Sequence, residues 1–110
     1  MRRYPHFKAQ LTFHFNEHGP GRRHWFIFSD DLHRRVPISM DGVEGLHTLM
    51  MWMDAPADRF RAGDNVEVHC RVIAPELFDE AAVPGATFEL WDGGFFASGL
   101  VLERFDLAFR

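Results

Sequence analysis

A basic and aromatic cluster in the first part of the chain carries the residue types best suited to ligand binding. Arg22, Arg23 and His24 follow a glycine- and proline-containing stretch and stand directly before Trp25. Arginine forks hold phosphate oxygens bidentately, and an exposed tryptophan can stack on a nucleic-acid base. The cluster is therefore a candidate surface for RNA or another partner. The competing interpretation, a solvated loop with Trp25 in the core, stays open.

Residue types used in catalysis are present, but their spacing does not assemble a catalytic site. Segment 29–33 combines serine, aspartate and histidine within one turn, which gives no geometry for a general base acting on a serine. His14 and His18 are four residues apart, but that spacing forms a metal-ligating pair on a helix, and the chain there reads as strand and loop. The sequence predicts no catalytic residue, metal or cofactor, and an enzyme is kept only as an alternative.

A second candidate surface is apolar. Met51, Trp52 and Met53 fall in a strand whose two faces would both be apolar, and methionine-rich surfaces adapt to many partners. Trp91 and Phe95 flank a turn at another point of the chain. These five residues form a predicted interface with a protein partner or with a second copy of the chain. The alternative is a thick core in which methionine fills gaps.

Composition limits the classes of protein that remain. The chain has 110 residues, enough for one domain over 1–110, with 46% hydrophobic and 15% aromatic residues. A net charge of -4 argues against strong non-specific binding to a phosphate backbone. The longest run of strongly apolar residues, 49–53, is far too short to span a membrane. We expect a soluble cytoplasmic protein with no membrane partner, and a buried, unreactive thiol at Cys70.

The elements that must position these residues are strands. Alternating apolar and polar residues, punctuated by turn-forming residues, predict strands over 7–15, 25–28, 34–39, 46–53, 66–73, 86–91 and 95–109. Pro37 indicates an edge or a bulge, and Gly99 a bulge or bend. Gly63 and the Asp92-Gly93-Gly94 run indicate turns, and only 76–82 favours a helical turn. Six or seven strands without a long helix predict an all-β, antiparallel closed barrel.

Four segments of the chain, residues 7–11, 17–24, 63–75 and 85–101, match a known family in order and spacing. They resemble the third, C-terminal β-barrel domain of elongation factor Tu and related translation factors. Segment 7–11 resembles its opening strand, and 17–24 the following loop, which in that family carries a Gly-Arg-His sequence. Segment 63–75 is similar to the family's Gly-Asp-Asn turn and next strand, and 85–101 to its closing hairpin. The resemblance covers roughly residues 5 to 104 and implies a six-stranded antiparallel barrel.

The chain also departs from that family at groups used for function. It has no Gly-x-x-x-x-Gly-Lys-Ser/Thr phosphate loop, so nucleotide hydrolysis is not implied. The family's Arg-Thr-Thr-Asp-Val-Thr-Gly-like run is replaced by 36–42, which keeps none of the threonines. Trp91 and Phe95 stand where the family has polar groups. We therefore expect a stand-alone, non-catalytic binding module with a protein partner; a translation-related RNA- or tRNA-binding accessory protein is the alternative.

Overall fold

Most of the residues that the structure describes lie in eight short strands. The computed structural model describes residues 4–14, 26–28, 34–53 and 58–109. The strands are β1 (Phe7–Phe13), β2 (Phe26–Phe28), β3 (Arg34–Met40), β4 (His47–Trp52), β5 (Asp58–Phe60), β6 (Asn65–Val72), β7 (Thr87–Trp91) and β8 (Phe95–Arg104). The helices are a single turn, α1 (Pro75–Phe78), and a 3₁₀ helix (Asp106–Phe109).

Six of these strands close into an antiparallel barrel in the order β1-β6-β4-β3-β7-β8, while β2 and β5 pair as a separate two-stranded sheet. Period-two alternation explains which side chains enter the barrel. In β1, Phe7 and Leu11 are fully buried, whereas Thr12 is exposed. In β6, Cys70 is buried between the outward-facing His69 and Arg71. The predicted all-β closed barrel is confirmed.

The two predicted turns also form as the residue types require. Gly63 adopts a φ of +92° and donates its N–H to the Phe13 carbonyl oxygen at 2.6 Å. Asp64 accepts a hydrogen bond from the Arg61 N–H through Oδ2 at 2.8 Å. At the β7–β8 hairpin, Gly93 has a φ of +70°. Glycine reaches these positive φ values without a Cβ clash, which sets the start of β6 and the reversal before β8.

Gly99 has a different role from the predicted bulge or bend. It lies in regular register opposite Phe88, and the irregular steps of the barrel fall at Lys8/Ala9 and Leu90/Trp91. A Cβ atom at Gly99 would lie 2.0 Å from Cζ of Phe88. The absence of a side chain there makes room for the phenylalanine ring. The bulge prediction was therefore wrong, because the glycine serves packing across the strands.

Pro37 lies in a strand with neighbours on both sides. β3 is placed between β4 and β7, so it is not an edge strand of the barrel. However, β7 pairs with Ile38, Ser39 and Met40 only, while Pro37 faces Thr48 of β4. Pro37 therefore has a paired neighbour on one side, a local edge position where a missing N–H is tolerated.

The last predicted strand is too long. Its sequence alternates through Phe109, but β8 ends at Arg104 and the chain turns into the 3₁₀ helix. The Arg104 guanidinium explains the turn: Nε donates to Asp106 Oδ1 at 2.5 Å, and its Cζ lies 4.0 Å from the centre of the Phe109 ring. The Phe105 N–H also donates to the His6 carbonyl oxygen at 3.0 Å. These contacts fold the C-terminal segment against the N-terminal one.

Candidate functional site

The predicted basic cluster lies outside the described residues. Arg22, Arg23, His24 and Trp25 belong to segment 15–25, which follows His14 in the sequence. His14, the last described residue before this segment, lies at the barrel end that carries the β7–β8 hairpin. Its N–H donates to the Phe96 carbonyl oxygen at 2.8 Å. The binding role of the four residues stays a prediction. The 29–33 segment also lies outside the described residues.

The predicted apolar interface divides into buried and exposed parts. Met51 and Met53 point into the barrel and belong to its core. Trp52 lies outside that core cluster but is only 5% exposed, and its ring stacks on His69 of β6 with ring centres 5.7 Å apart. Trp91 and Phe95 form an edge-to-face pair across the hairpin and remain 36% and 42% exposed. Within this chain, the hairpin pair is the accessible part of the predicted surface.

A polar cluster on the outside of the barrel brings together residue types that could do chemistry. Ser98 Oγ donates to Glu89 Oε1 at 2.9 Å, and His14 Nε2 lies 3.3 Å from Glu89 Oε2. The serine hydroxyl is therefore bonded to the carboxylate rather than to the imidazole. A nucleophile needs a base within hydrogen-bond reach, and this arrangement does not pair the two. Sequence spacing does not reveal the cluster, because it depends on the Glu89–Ser98 register.

No group of three or more His, Cys, Asp or Glu side chains within the described ranges is arranged to hold a metal ion. Cys70 has no exposed surface, and burial raises the pKa of its thiol strongly. Thiolates rather than thiols are nucleophiles, so this cysteine is an inert part of the core. The expectation of a buried thiol is confirmed.

His6 is a buried polar residue whose burial the sequence pattern does not indicate. Its Nδ1 accepts a hydrogen bond from the Val72 N–H at 3.0 Å, and its ring packs on Phe109 with centres 5.0 Å apart. Burial lowers the pKa of His6 to about 4, helped by the positive charge of Arg71 and partly offset by the nearby Ala108 backbone. The imidazole is therefore neutral at pH 7, as an acceptor at Nδ1 must be.

One end of the barrel collects exposed apolar and acidic side chains, and we call it the acidic end. It consists of four segments: 4–6, 41–46, 73–86 and 105–109. They meet because neighbouring strands of an antiparallel barrel alternate in direction, so every second connection falls at the same end. Two backbone hydrogen bonds across segments mark the end, from Asp41 N–H to the Thr87 carbonyl and from Ile73 N–H to the Thr48 carbonyl, both at 3.2 Å.

Among the described residues of the acidic end, exposed carboxylates outnumber cations; Arg2, Arg3 and Arg110, which adjoin its segments in the sequence, lie outside the described residues. The four segments hold six exposed carboxylates and contain no lysine or arginine. The carboxylates are those of Asp41, Glu44, Glu76, Asp79, Glu80 and Asp106. Arg104 at the end of β8 offsets part of this charge, because it pairs with both Asp79 and Asp106. Four of the six carboxylates have no such partner among the described residues.

Exposed apolar side chains also concentrate there. Ten large hydrophobic residues of the described part of the chain are exposed, and six of them lie at the acidic end. These six are Tyr4, Leu46, Ile73, Leu77, Val83 and Leu107. Scattered single hydrophobic residues are ordinary on a surface, whereas a cluster with a polar rim is typical of an interaction site.

Buried packing and hydrogen bonds attach α1 and the segment after it to the barrel. Phe78 of α1 is fully buried and meets the ring of His47 edge-on, with centres 5.5 Å apart. Arg104 donates through Nη1 to the carbonyl oxygens of Asp79 and Ala82, which ties the segment after α1 to β8. Between α1 and the β3–β4 turn lies an open groove of about 430 Å³ with Asp41 and Glu80 on its walls. Buried packing and hydrogen bonds thus fix the segments that carry these exposed side chains to the barrel.

A second groove, of about 580 Å³, lies between the N- and C-terminal segments at the same end. Its lining is apolar except for the Arg71 side chain and comprises Tyr4, Pro5, Arg71, Phe105, Leu107 and Ala108. Arg71 Nη1 donates to the Tyr4 carbonyl oxygen. His6, which lies between Pro5 and the start of β1, is buried and carries no charge at neutral pH.

No protein-family model matches the chain, and no curated protein is significantly similar to it in sequence. None of the helices in the described residues is both long enough and apolar enough to cross a membrane.

Proposed function

We propose that the chain is a non-catalytic binding module whose acidic end docks a protein with a basic and apolar surface. The observation that carries the proposal is the coincidence of six exposed large hydrophobic residues with six exposed carboxylates, four of which have no cationic partner among the described residues. A standard protein interface combines an apolar centre with a polar rim. The two features together suit a partner of opposite charge.

The charge pattern favours protein over nucleic acid as the partner of this surface. A phosphate backbone needs lysine and arginine to replace its counterions, and carboxylates repel it. A basic protein surface is instead drawn toward the carboxylates, which raises the association rate at low salt. The apolar side chains then supply the contact that remains once the partners have met.

The proposal includes kinship with the third barrel domain of elongation factor Tu. It is supported by the closed six-stranded antiparallel barrel and by the Gly63 turn, which match the expectation drawn from the resemblance. A barrel of this kind whose sequence contains no phosphate-loop motif suits a docking role. The proposed module therefore binds a partner and leaves catalysis to other proteins.

The test is an affinity capture from native cell extract with matched surface variants. Glu80→Lys and Leu77→Ser alter the acidic end, while Glu67→Lys and Leu100→Ser make the same changes on the barrel wall, where both residues are exposed. We expect a protein retained by the wild type and by both wall variants, released by salt, and lost with Glu80→Lys or Leu77→Ser. Retention of the same proteins by all five forms would contradict the proposal.

A further inference from the structure

We propose that residues 105–109, which we call the closing segment, form a pH-sensitive cover that opens when His6 is protonated, while the barrel stays folded. The segment contains the 3₁₀ helix and carries Asp106 and Leu107, two exposed residues of the acidic end. Opening would therefore change the surface of that end. The inference goes beyond the docking role and does not depend on it, because it concerns an equilibrium within this chain.

The closed segment shields His6 from water and leaves one of its ring nitrogens without a hydrogen bond. His6 is only 1% exposed, and the centre of the Phe109 ring lies 5.0 Å from the centre of the imidazole. Because Nδ1 accepts the Val72 N–H at 3.0 Å, the proton of the neutral ring is on Nε2. Nε2 is buried and has no hydrogen-bond partner among the described residues. The closed state therefore contains a buried, unsatisfied donor, which water would satisfy on opening.

Few of the described contacts hold the closing segment in place. None of the residues of its 3₁₀ helix is fully buried, and Phe109 is the one that packs against the core. Arg104 at the end of β8 lies 4.0 Å from the centre of the Phe109 ring, and its Nε donates to Asp106 Oδ1 at 2.5 Å. Segments with little buried apolar surface open at a lower free energy than the whole domain unfolds. The closing segment can therefore open without loss of the barrel.

Burial, Arg71 and the Val72 N–H all oppose a proton on His6 while the segment is closed. A proton on Nδ1 would remove the acceptor of the Val72 N–H, and the Arg71 guanidinium repels an imidazolium. Arg71 and Val72 belong to β6 and keep their places when the segment opens, whereas burial by the Phe109 ring is lost. Burial is the largest cause of the lowered pKa of His6, so opening relieves the main obstacle to protonation.

Histidine is the residue type around the closing segment that titrates between about pH 7.5 and about pH 5. The described titratable and charged side chains on the elements around His6 are Tyr4, Cys70, Arg71, Arg104 and Asp106. Three arginines that adjoin these elements in the sequence, Arg2, Arg3 and Arg110, lie outside the described residues. Arginine stays protonated throughout this range, and tyrosine, cysteine and aspartate ordinarily titrate outside it. The charge of His6 is therefore the variable that pH changes here.

The pKa of His6 sets the size of the effect. In the closed state it is about 4, compared with the ordinary value of 6.5. Because the pKa is lowered in the closed state, the open state becomes more favourable as pH falls through 6.5. Restoring the ordinary pKa on opening would raise the open fraction about 25-fold between about pH 7.5 and about pH 5. Since Arg71 would still lower that pKa somewhat, we expect an increase of about tenfold.

Native-state hydrogen exchange tests the opening. The Phe105 and Ala108 amides report it, because they donate to the carbonyl oxygens of His6 and Phe105, both at 3.0 Å. Their protection factors, which correct for the intrinsic pH dependence of exchange, should fall about tenfold from about pH 7.5 to about pH 5. Low concentrations of urea should leave both amides unaffected, because a local opening exposes little surface. The same urea should accelerate exchange of those amides of β1 and β6 that require global unfolding.

Variants assign the effect to His6. His6→Gln keeps an acceptor for the Val72 N–H but cannot be protonated, so it should abolish the pH dependence. His14→Gln makes the same change in an exposed residue at the other end of β1 and should keep it. Should His6→Gln fold poorly, Phe109→Ala provides a second measurement. Without the ring that covers the imidazole, the pKa of His6, followed by its ring NMR shifts, should rise toward 6.5.

Several results would overturn the inference. One is protection of Phe105 and Ala108 that does not change with pH, and another is a pH dependence that persists in His6→Gln. Exchange of both amides that accelerates with urea together with that of β1 and β6 would show global unfolding instead of local opening. A pKa that stays near 4 in Phe109→Ala would contradict the role of the closing segment. None of these measurements involves a partner, so the docking role and the opening can fail separately.

Discussion

Replacing Gly99 with alanine should destabilise the barrel strongly, because a Cβ atom there enters the ring of Phe88. The new atom would lie 2.0 Å from Cζ, 2.2 Å from Cε2 and 2.5 Å from Cε1. Carbon atoms pack at roughly 3.5 to 4.0 Å, so ring or strand must move by about 1.5 Å. Phe88 is only 2% exposed and touches Phe7 edge-on, which leaves little space for that movement.

Overpacking of this kind costs about 3 kcal/mol, the upper part of the usual range. Urea unfolding followed by tryptophan fluorescence would measure it. A double-mutant cycle isolates the cause: Phe88→Leu removes the ring, so Gly99→Ala in that background should cost less than about 1 kcal/mol, a coupling of about 2 kcal/mol.

Gly63→Ala provides the control for backbone effects. Gly63 has a φ of +92°, and no heavy atom lies within 4 Å of the position that an added Cβ would take. Its cost of about 1 kcal/mol should therefore reflect conformation alone and should not change with Phe88. A Gly99→Ala cost below about 0.5 kcal/mol, or the same cost with and without the Phe88 ring, would refute the packing of β7 against β8.

Three further outcomes are expected. The pKa of His6 is lowered from 6.5 to about 4, so between these pH values the unfolded chain binds a proton that the folded chain does not. The free energy of unfolding should therefore fall by on the order of 3 kcal/mol as pH drops from 6.5 to 4. His6→Gln should lose that part of the pH dependence in urea titrations. Cys70 should resist a thiol reagent in the native protein and react on unfolding, and rapid native labelling would contradict its burial. In a salt titration with tRNA, we expect no binding that depends on Arg22 and Arg23. Salt-sensitive binding that an Arg22→Ala/Arg23→Ala variant abolishes would favour the RNA alternative.

Much of the fold could be predicted from the local alternation of apolar and polar residues. The predictions fail where contacts between residues distant in sequence determine the structure. The alternation in β6 predicts its buried and outward faces correctly, because burial on one side of a strand repeats every second residue. The same rule fails after Arg104, where Phe105, Leu107 and Phe109 alternate but ion pairs turn the chain. Gly99 looks like a bulge until its partner Phe88 is known.

The acidic end could not be predicted from spacing along the chain. Its carboxylates come from segments as far apart as Asp41 and Asp106, and barrel closure alone brings these segments to one end. His6 was missed for a related reason: its burial depends on Val72 and on Phe109, which are distant in sequence. By contrast, the inward positions of Met51 and Met53 follow from the alternation of β4 once Leu49 is known to face the core.

Site-specific photo-cross-linking tests the docking role of the acidic end most directly. A benzoylphenylalanine placed at Leu77, 50% exposed at that end, is compared in living cells with one at Leu100, 38% exposed on the barrel wall. We expect a discrete protein adduct from position 77 that Glu80→Lys removes, and no such adduct from position 100. Adducts from position 100 with none from position 77 would contradict the docking role.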